Sequence, residues 1–213
     1  MERRFTKKSN VKIEKRADGQ QVIVGYAAVF YDPGNPGTEY ELWPAGGGHA
    51  RAVERIMPGA FDRAIREDDV RGLFNHEPNL VLGRTGGTMN LSADSKGLRY
   101  EIIPPDNTIG RDLIVSIQRG DISGSSFSFI ADVVNWRTTP DDEIREIQSV
   151  NPLFDVGPVT YPAYEATTTG LRDSAEVDEA RACRARWAKR QADIVAVIAR
   201  AKARAYEVDE INL

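Results

Sequence analysis

Between Lys12 and Pro162, short runs of β-branched and aromatic residues alternate with turn signals, a rhythm that commits most of this stretch to sheet. "NVKIEKRADGQ" and "QQVIVGYAAVFYD" read as two strands joined at Asp18-Gly19, since Asp-Gly supplies the positive φ that a tight hairpin requires. "GTMNLSADSKGLRYEIIPP" reads as a second hairpin, turning over Asp94 to Gly97. "DVRGLFNHEPNLVLGRT" holds two short apolar runs parted by the polar turn "NHEPN". "SSFSFIADVVNWR" and "EIREIQSVNPLFDVGPVTYP" complete the pattern, bridged by the Thr-Pro-Asp-Asp turn after Arg137.

Two stretches change the period. "ERIMPGAFDRAIRED" reads as a short strand, a Pro-Gly break and a helix from near Ala60. "NTIGRDLIVSIQRGDI" places Ile109, Leu113, Ile114 and Ile117 at helical spacing, with Asn107 or Thr108 to cap its start and Gly120 to end it. The Pro- and Gly-punctuated stretch from Pro33 to Gly48 reads as a loop. The expected class is therefore α+β, mostly β, with a barrel-like or sandwich core and packed helices. After Ser174 the composition shifts to Ala, Arg and Lys without Gly or Pro. Glu176, Asp178 and Glu179 come early and the basic residues late, which suits a helix dipole, and Trp187, Ile194, Val197 and Ile198 share a face. Residues 10–172 are thus expected to form one domain, and 173–213 a long amphipathic helical tail.

The bulk numbers exclude several functions. With 28 Lys and Arg against 32 Asp and Glu, the net charge of -4 argues against a nucleic-acid partner held by phosphate contacts. No apolar run is long enough to span a bilayer, and "MERRFTKKSN" lacks the apolar segment of a secretory signal. The lone Cys183 cannot form an intrachain disulfide and suits a reducing compartment. The two histidines, His49 and His76, are too few for a His cluster, and "HEPNL" lacks the second His of a zinc helix. "PAGGGHA" and "LGRTGGT" have neither the Walker nor the dinucleotide pattern, so neither metal nor cofactor is expected. No pair of carboxylates is singled out by spacing as a glycosidase would require.

The remaining chemistry centres on "DISGSSFSFI". Strand alternation puts Phe127 and Phe129 on one face and Ser126 and Ser128 on the other. A serine nucleophile needs a base and a group that orients the base. His76 stands at a strand end, where a rigid base supports it, whereas His49 sits in the Gly-rich loop. Read from residues alone, the stretch is either a nucleophile strand or the thin, small-residue face of an ordinary one.

An ordered set of segments resembles the prohead protease family of tailed phages: "VIVGYAAVF", "ERIMPGAFDRAI", "VRGLFNHEPNLVLGRT", "TMNLSADSKGLRYEIIPP", "GRDLIVSIQRGDISGSSFSF" and "LFDVGPVTYPAYEATT". The resemblance implies a serine endopeptidase with His76 of "FNHEP" as base and Ser126, the Ser before Phe, as nucleophile. This chain has Ser125 and Ser128 where the family pattern often has Met and Gly, so Ser125 remains the alternative nucleophile. Asp155, in "LFDVGPVTYPAY", falls at the acidic third position. The resemblance further implies the β-barrel fold of the herpesvirus assembly proteases, ringed by helices. It implies a major capsid protein or scaffold as substrate, cleavage of the chain by itself, and residence inside the immature capsid in the host cytoplasm, from a phage or a prophage. Self-association is compatible with it, and no membrane or nucleic acid is called for. The tail would dock on coat or scaffold helices, be removed on self-cleavage, or fold against the barrel. A protein using this fold as a catalytically idle assembly scaffold is the alternative function.

Overall fold

The computed structural model describes residues 1–6, 10–35, 37–45 and 50–161, together with helical positions 182, 185–186, 189–190, 192–193 and 196. Backbone contacts divide the chain into Met1–Gly170 and Leu171–Leu213. The first unit holds, in chain order, β1 (Glu2–Thr6), β2 (Lys12–Lys15), β3 (Gln21–Val29), β4 (Glu39–Trp43), β5 (Arg51–Ile56) and α1 (Asp62–Glu67). There follow β6 (Arg71–Leu73), β7 (Val81–Arg84), β8 (Met89–Ala93), β9 (Gly97–Ile102), α2 (Thr108–Arg119), β10 (Gly124–Thr138) and β11 (Asp142–Val159). In the second unit the described positions are helical. The expected apolar face of Trp187, Ile194, Val197 and Ile198, with Cys183, lies outside the described residues.

Both hairpins read from turn chemistry form as expected. β2 and β3 pair antiparallel across Asp18-Gly19, and β8 and β9 across Asp94–Gly97, where the Asp94 carboxylate accepts from the Lys96 and Gly97 N–H groups. Helix α2 starts where Asn107 accepts from the Gly110 N–H at 2.9 Å and ends at Gly120, whose φ of 83° only glycine adopts freely. Of the four apolar positions at helical spacing, Leu113 and Ile117 are buried, with Gly110, while Ile109 and Ile114 are half-buried.

Two expectations are corrected. The stretch 33–48 is not all loop: "EYELW" forms β4 against β5, because Leu42 and Trp43 are buried and Trp43 stacks on Trp136 at 6.2 Å. Strand pairing also does not close a barrel. One sheet runs β1-β10-β11-β5-β4 with β6 and β7 attached, the other β2-β3-β9-β8, and both are open. The eighteen-residue β11 gives its second edge first to β5 and then to β6, both parallel, while β10 pairs along its other edge. Among the described residues neither β4 nor β7 continues into a ladder with the second sheet, and the one isolated β-bridge runs from Thr85 to Met89. The two sheets instead share one core, with Ile23, Tyr100 and Ile102 of the smaller sheet packed in the same cluster as Phe127, Phe129 and Ile147 of the larger.

Candidate active site

β10 opens with Gly124 and alternates at once. Phe127 and Phe129 point into the core, stacked at 4.9 Å, with Phe61 edge-on to Phe127 at 5.6 Å. These rings fix the strand's rotation, so Ser126 and Ser128 are carried to the opposite face. Ser125 shares the core side, where its hydroxyl meets the Tyr100 hydroxyl at 2.7 Å. Burial holds the Tyr100 phenol well above its ordinary pKa, so this partner stays neutral. The two candidate nucleophiles therefore face opposite ways.

The antiparallel register with β11 sets Ser126 opposite Gly157 and Ser128 opposite Asp155. Cross-strand pairs share a face, so Asp155, two pairs along from Ser126, lies on the same surface. His76 arrives from a different element. β6 runs beside β11, and the chain then turns through Phe74–Leu80, closed by Phe74 N–H to the Leu80 carbonyl at 3.1 Å and Leu80 N–H to the Glu77 carbonyl at 2.9 Å. Asn75 and His76 both take a φ of 56°, a left-handed conformation that costs a non-glycine residue about 1–2 kcal/mol.

Asn75 secures that strained turn. Its N–H donates to the Pro158 carbonyl at 3.1 Å, its amide donates to the Thr160 hydroxyl at 3.0 Å, and its amide oxygen accepts from the Thr160 N–H at 2.8 Å. The histidine loop is thereby tied to the same strand that carries Asp155. Asn75→Ala keeps the left-handed φ while losing both side-chain bonds. It should cost about 2 kcal/mol of stability and reduce turnover more than substrate affinity, as thermal melting and steady-state rates would show.

The three side chains meet in series. His76 Nδ1 lies 2.5 Å from Asp155 Oδ1, and His76 Nε2 lies 2.5 Å from Ser126 Oγ. The His76 and Asp155 side chains are only 5% and 9% exposed, so the pair works in a largely dry setting. An ionised carboxylate only accepts, which makes Nδ1–H the donor and leaves Nε2 with a lone pair aimed at the serine hydroxyl. Ser126 Oγ has a second acceptor within reach, the Arg4 carbonyl of β1 at 3.0 Å. Ser128 Oγ, beside them, is buried and has no hydrogen-bond partner among the described residues.

Of the sequence candidates, the structure brings together His76, Ser126 and Asp155, and leaves Ser125 on the far face. His49 lies outside the described residues. Sequence reasoning missed three contributors: the β1 carbonyl, the Asn75 strap and the close approach of the Leu73 backbone to Gly157. The "Asn-His" dipeptide was the one local sign, since Asn tolerates the left-handed region better than most residues. Among the described residues no group of His, Cys, Asp or Glu is placed to hold a metal, and no helix is long and apolar enough to cross a membrane.

A hydroxyl, an imidazole and a carboxylate joined in that order are the arrangement found in serine hydrolases on several unrelated folds. The chain belongs to the caudovirus prohead serine protease family, which it matches over residues 7–180. The matched range contains all three residues of the series and begins just past β1. No curated protein and no solved structure matches the chain.

Proposed function

We propose that the chain is a serine endopeptidase of capsid maturation, with Ser126 as nucleophile, His76 as general base and Asp155 as the group that orients the base. The observation that carries this reading is the unbroken contact from Asp155 through both ring nitrogens of His76 to Ser126. His76 Nε2 takes the hydroxyl proton as Ser126 Oγ bonds to the scissile carbonyl carbon. The imidazolium so formed sits against the Asp155 carboxylate, then gives its proton to the departing amine as the C–N bond breaks. Water, deprotonated in turn by His76, releases the acid product from the acyl-enzyme and restores the serine.

Family membership supports a substrate in the prohead, the major capsid protein or its scaffold, and a site of action inside the immature capsid. In this reading residues 10–172, with β1 added before them, are the catalytic domain, kin to the herpesvirus assembly proteases, and 173–213 are a helical tail for docking or removal. The test is co-expression with the capsid protein of the same phage, read by intact mass. The native chain should shorten the capsid protein, and His76→Ala should slow that cleavage by at least about 1,000-fold. Unchanged processing in the variant would favour an idle scaffold and another protease.

A further inference from the structure

Ser126 is completely buried, at 0% exposure. A nucleophile must come within about 3–3.5 Å of a substrate carbonyl carbon, so in a working protease something covering Ser126 has to move. The strand over it is β1. It lies antiparallel on the edge of β10, with Phe5 opposite Ser126 and Arg4 opposite Phe127. Its Arg4 carbonyl oxygen lies 3.0 Å from Ser126 Oγ, and the Phe5 ring stands edge-on to the His76 ring at 6.3 Å. An extended peptide thus already presents a carbonyl to the serine.

The side chains of β1 are received as specifically as its backbone. The Arg4 guanidinium forks onto Glu54 of β5, with Nε to Oε1 at 2.6 Å and Nη2 to Oε2 at 2.9 Å, and lies over the Phe129 ring at 5.5 Å. Glu54 is itself 0% exposed. Glu2, two residues earlier and so on the same face of the strand, binds both Arg4 and Arg145 of β11, and Arg145 also pairs with Glu54. Two carboxylates face two guanidiniums. Glu54 and Arg145 belong to the body of the sheet, while Glu2 and Arg4 belong to the strand laid on it.

We propose that β1 occupies the place of the substrate. The polypeptide to be cut pairs with the β10 edge once β1 withdraws, and it is selected for a carboxylate two residues before an arginine, the pattern of Glu2 and Arg4. This rests on Ser126 being the nucleophile. β1 is suited to leave: it has five residues, pairs with β10 alone among the described strands, and lies outside the range matched by the family. Its buried ion pairs hold it less firmly than their number implies, because desolvation offsets most of their attraction. An incoming strand with the same charges restores them and satisfies the freed N–H and C=O groups of β10.

The test compares the full chain with one lacking residues 2–6, each treated with a fluorophosphonate and read by intact mass and peptide mapping. If the uncovered state is populated at ~0.1–10% in the full chain, deletion should speed modification of Ser126 by about 10- to 1,000-fold. A synthetic peptide Met-Glu-Arg-Arg-Phe-Thr should slow it again, and the same peptide with its second arginine replaced by Glu should not. Equal rates in two folded chains would overturn the shield while leaving the nucleophile intact. If deletion prevents folding by circular dichroism, Phe5→Gly in the full chain takes its place: faster modification supports the proposal and an unchanged rate overturns it. No modification of any chain, together with no capsid cleavage, overturns the nucleophile reading itself.

Discussion

With Asp155 replaced by Asn, the chain should fold as before and lose about four orders of magnitude in capsid-protein turnover. The substituted amide has nearly the same size, and it can turn an N–H toward His76 Nδ1. The ring then takes the other tautomer, with its proton on Nε2, 2.5 Å from Ser126 Oγ. In that state the imidazole offers the hydroxyl a donor in place of the lone pair it needs, so the serine donates to the Arg4 carbonyl instead. Single-turnover cleavage rates at matched thermal stability would check this. A loss of less than about 10-fold would mean that Asp155 does not set the tautomer.

The second large effect is expected at Gly157, a residue with no reacting atom of its own that stands opposite Ser126 on β11. A Cβ built on Gly157 would stand 1.9 Å from the Leu73 carbonyl oxygen and 3.0 Å from its carbon. Both belong to backbone, so no side chain can swing aside. Gly157→Ala should therefore push β6 off β11, at a cost of roughly 3 kcal/mol and a drop in Tm of about 6–12 °C. Because the loop after β6 carries His76, cleavage should fall even well below the new Tm. Calorimetry and a cleavage assay at low temperature separate the two consequences. Native Tm with native activity would show that the close approach of Leu73 to Gly157 is not needed.

That geometry also explains what could be read in the chain beforehand. Turn residues act locally, so Asp18-Gly19, Asp94–Gly97, Asn107 and Gly120 marked their hairpins and helix ends correctly. β4 was hidden because "EYELW" is short and flanked by Pro and Gly, and its stability comes from Trp136, more than ninety residues away. β1 was hidden for a related reason. Its arginine reads as solvent-facing until Glu54, fifty residues on in the chain, is seen beside it. Barrel closure was beyond reach because it depends on which strands share the long edge of β11.

The site divides in the same way. Scarcity of histidine drew attention to His76, and alternation separated the face of Ser126 from that of the two phenylalanines. The roles themselves came with the family resemblance. Asp155 is one of many acidic residues, and nothing in its spacing distinguishes it. Only the register that sets it opposite Ser128, and the parallel run of β6 beside it, puts it within reach of the imidazole. Ser125 and Ser126 are adjacent in the chain, and Tyr100 and His76 claim one each.

The most direct test of the central claim uses that last distinction. Capsid protein co-expressed with Ser126→Ala and, separately, with Ser125→Ala should be weighed by mass spectrometry. The account predicts that Ser126→Ala leaves the capsid protein at full length. Ser125→Ala should still shorten it, with a stability loss of about 1–3 kcal/mol from the Tyr100 hydroxyl left unpaired. Cleavage that survives Ser126→Ala, or that disappears only with Ser125→Ala, would contradict it.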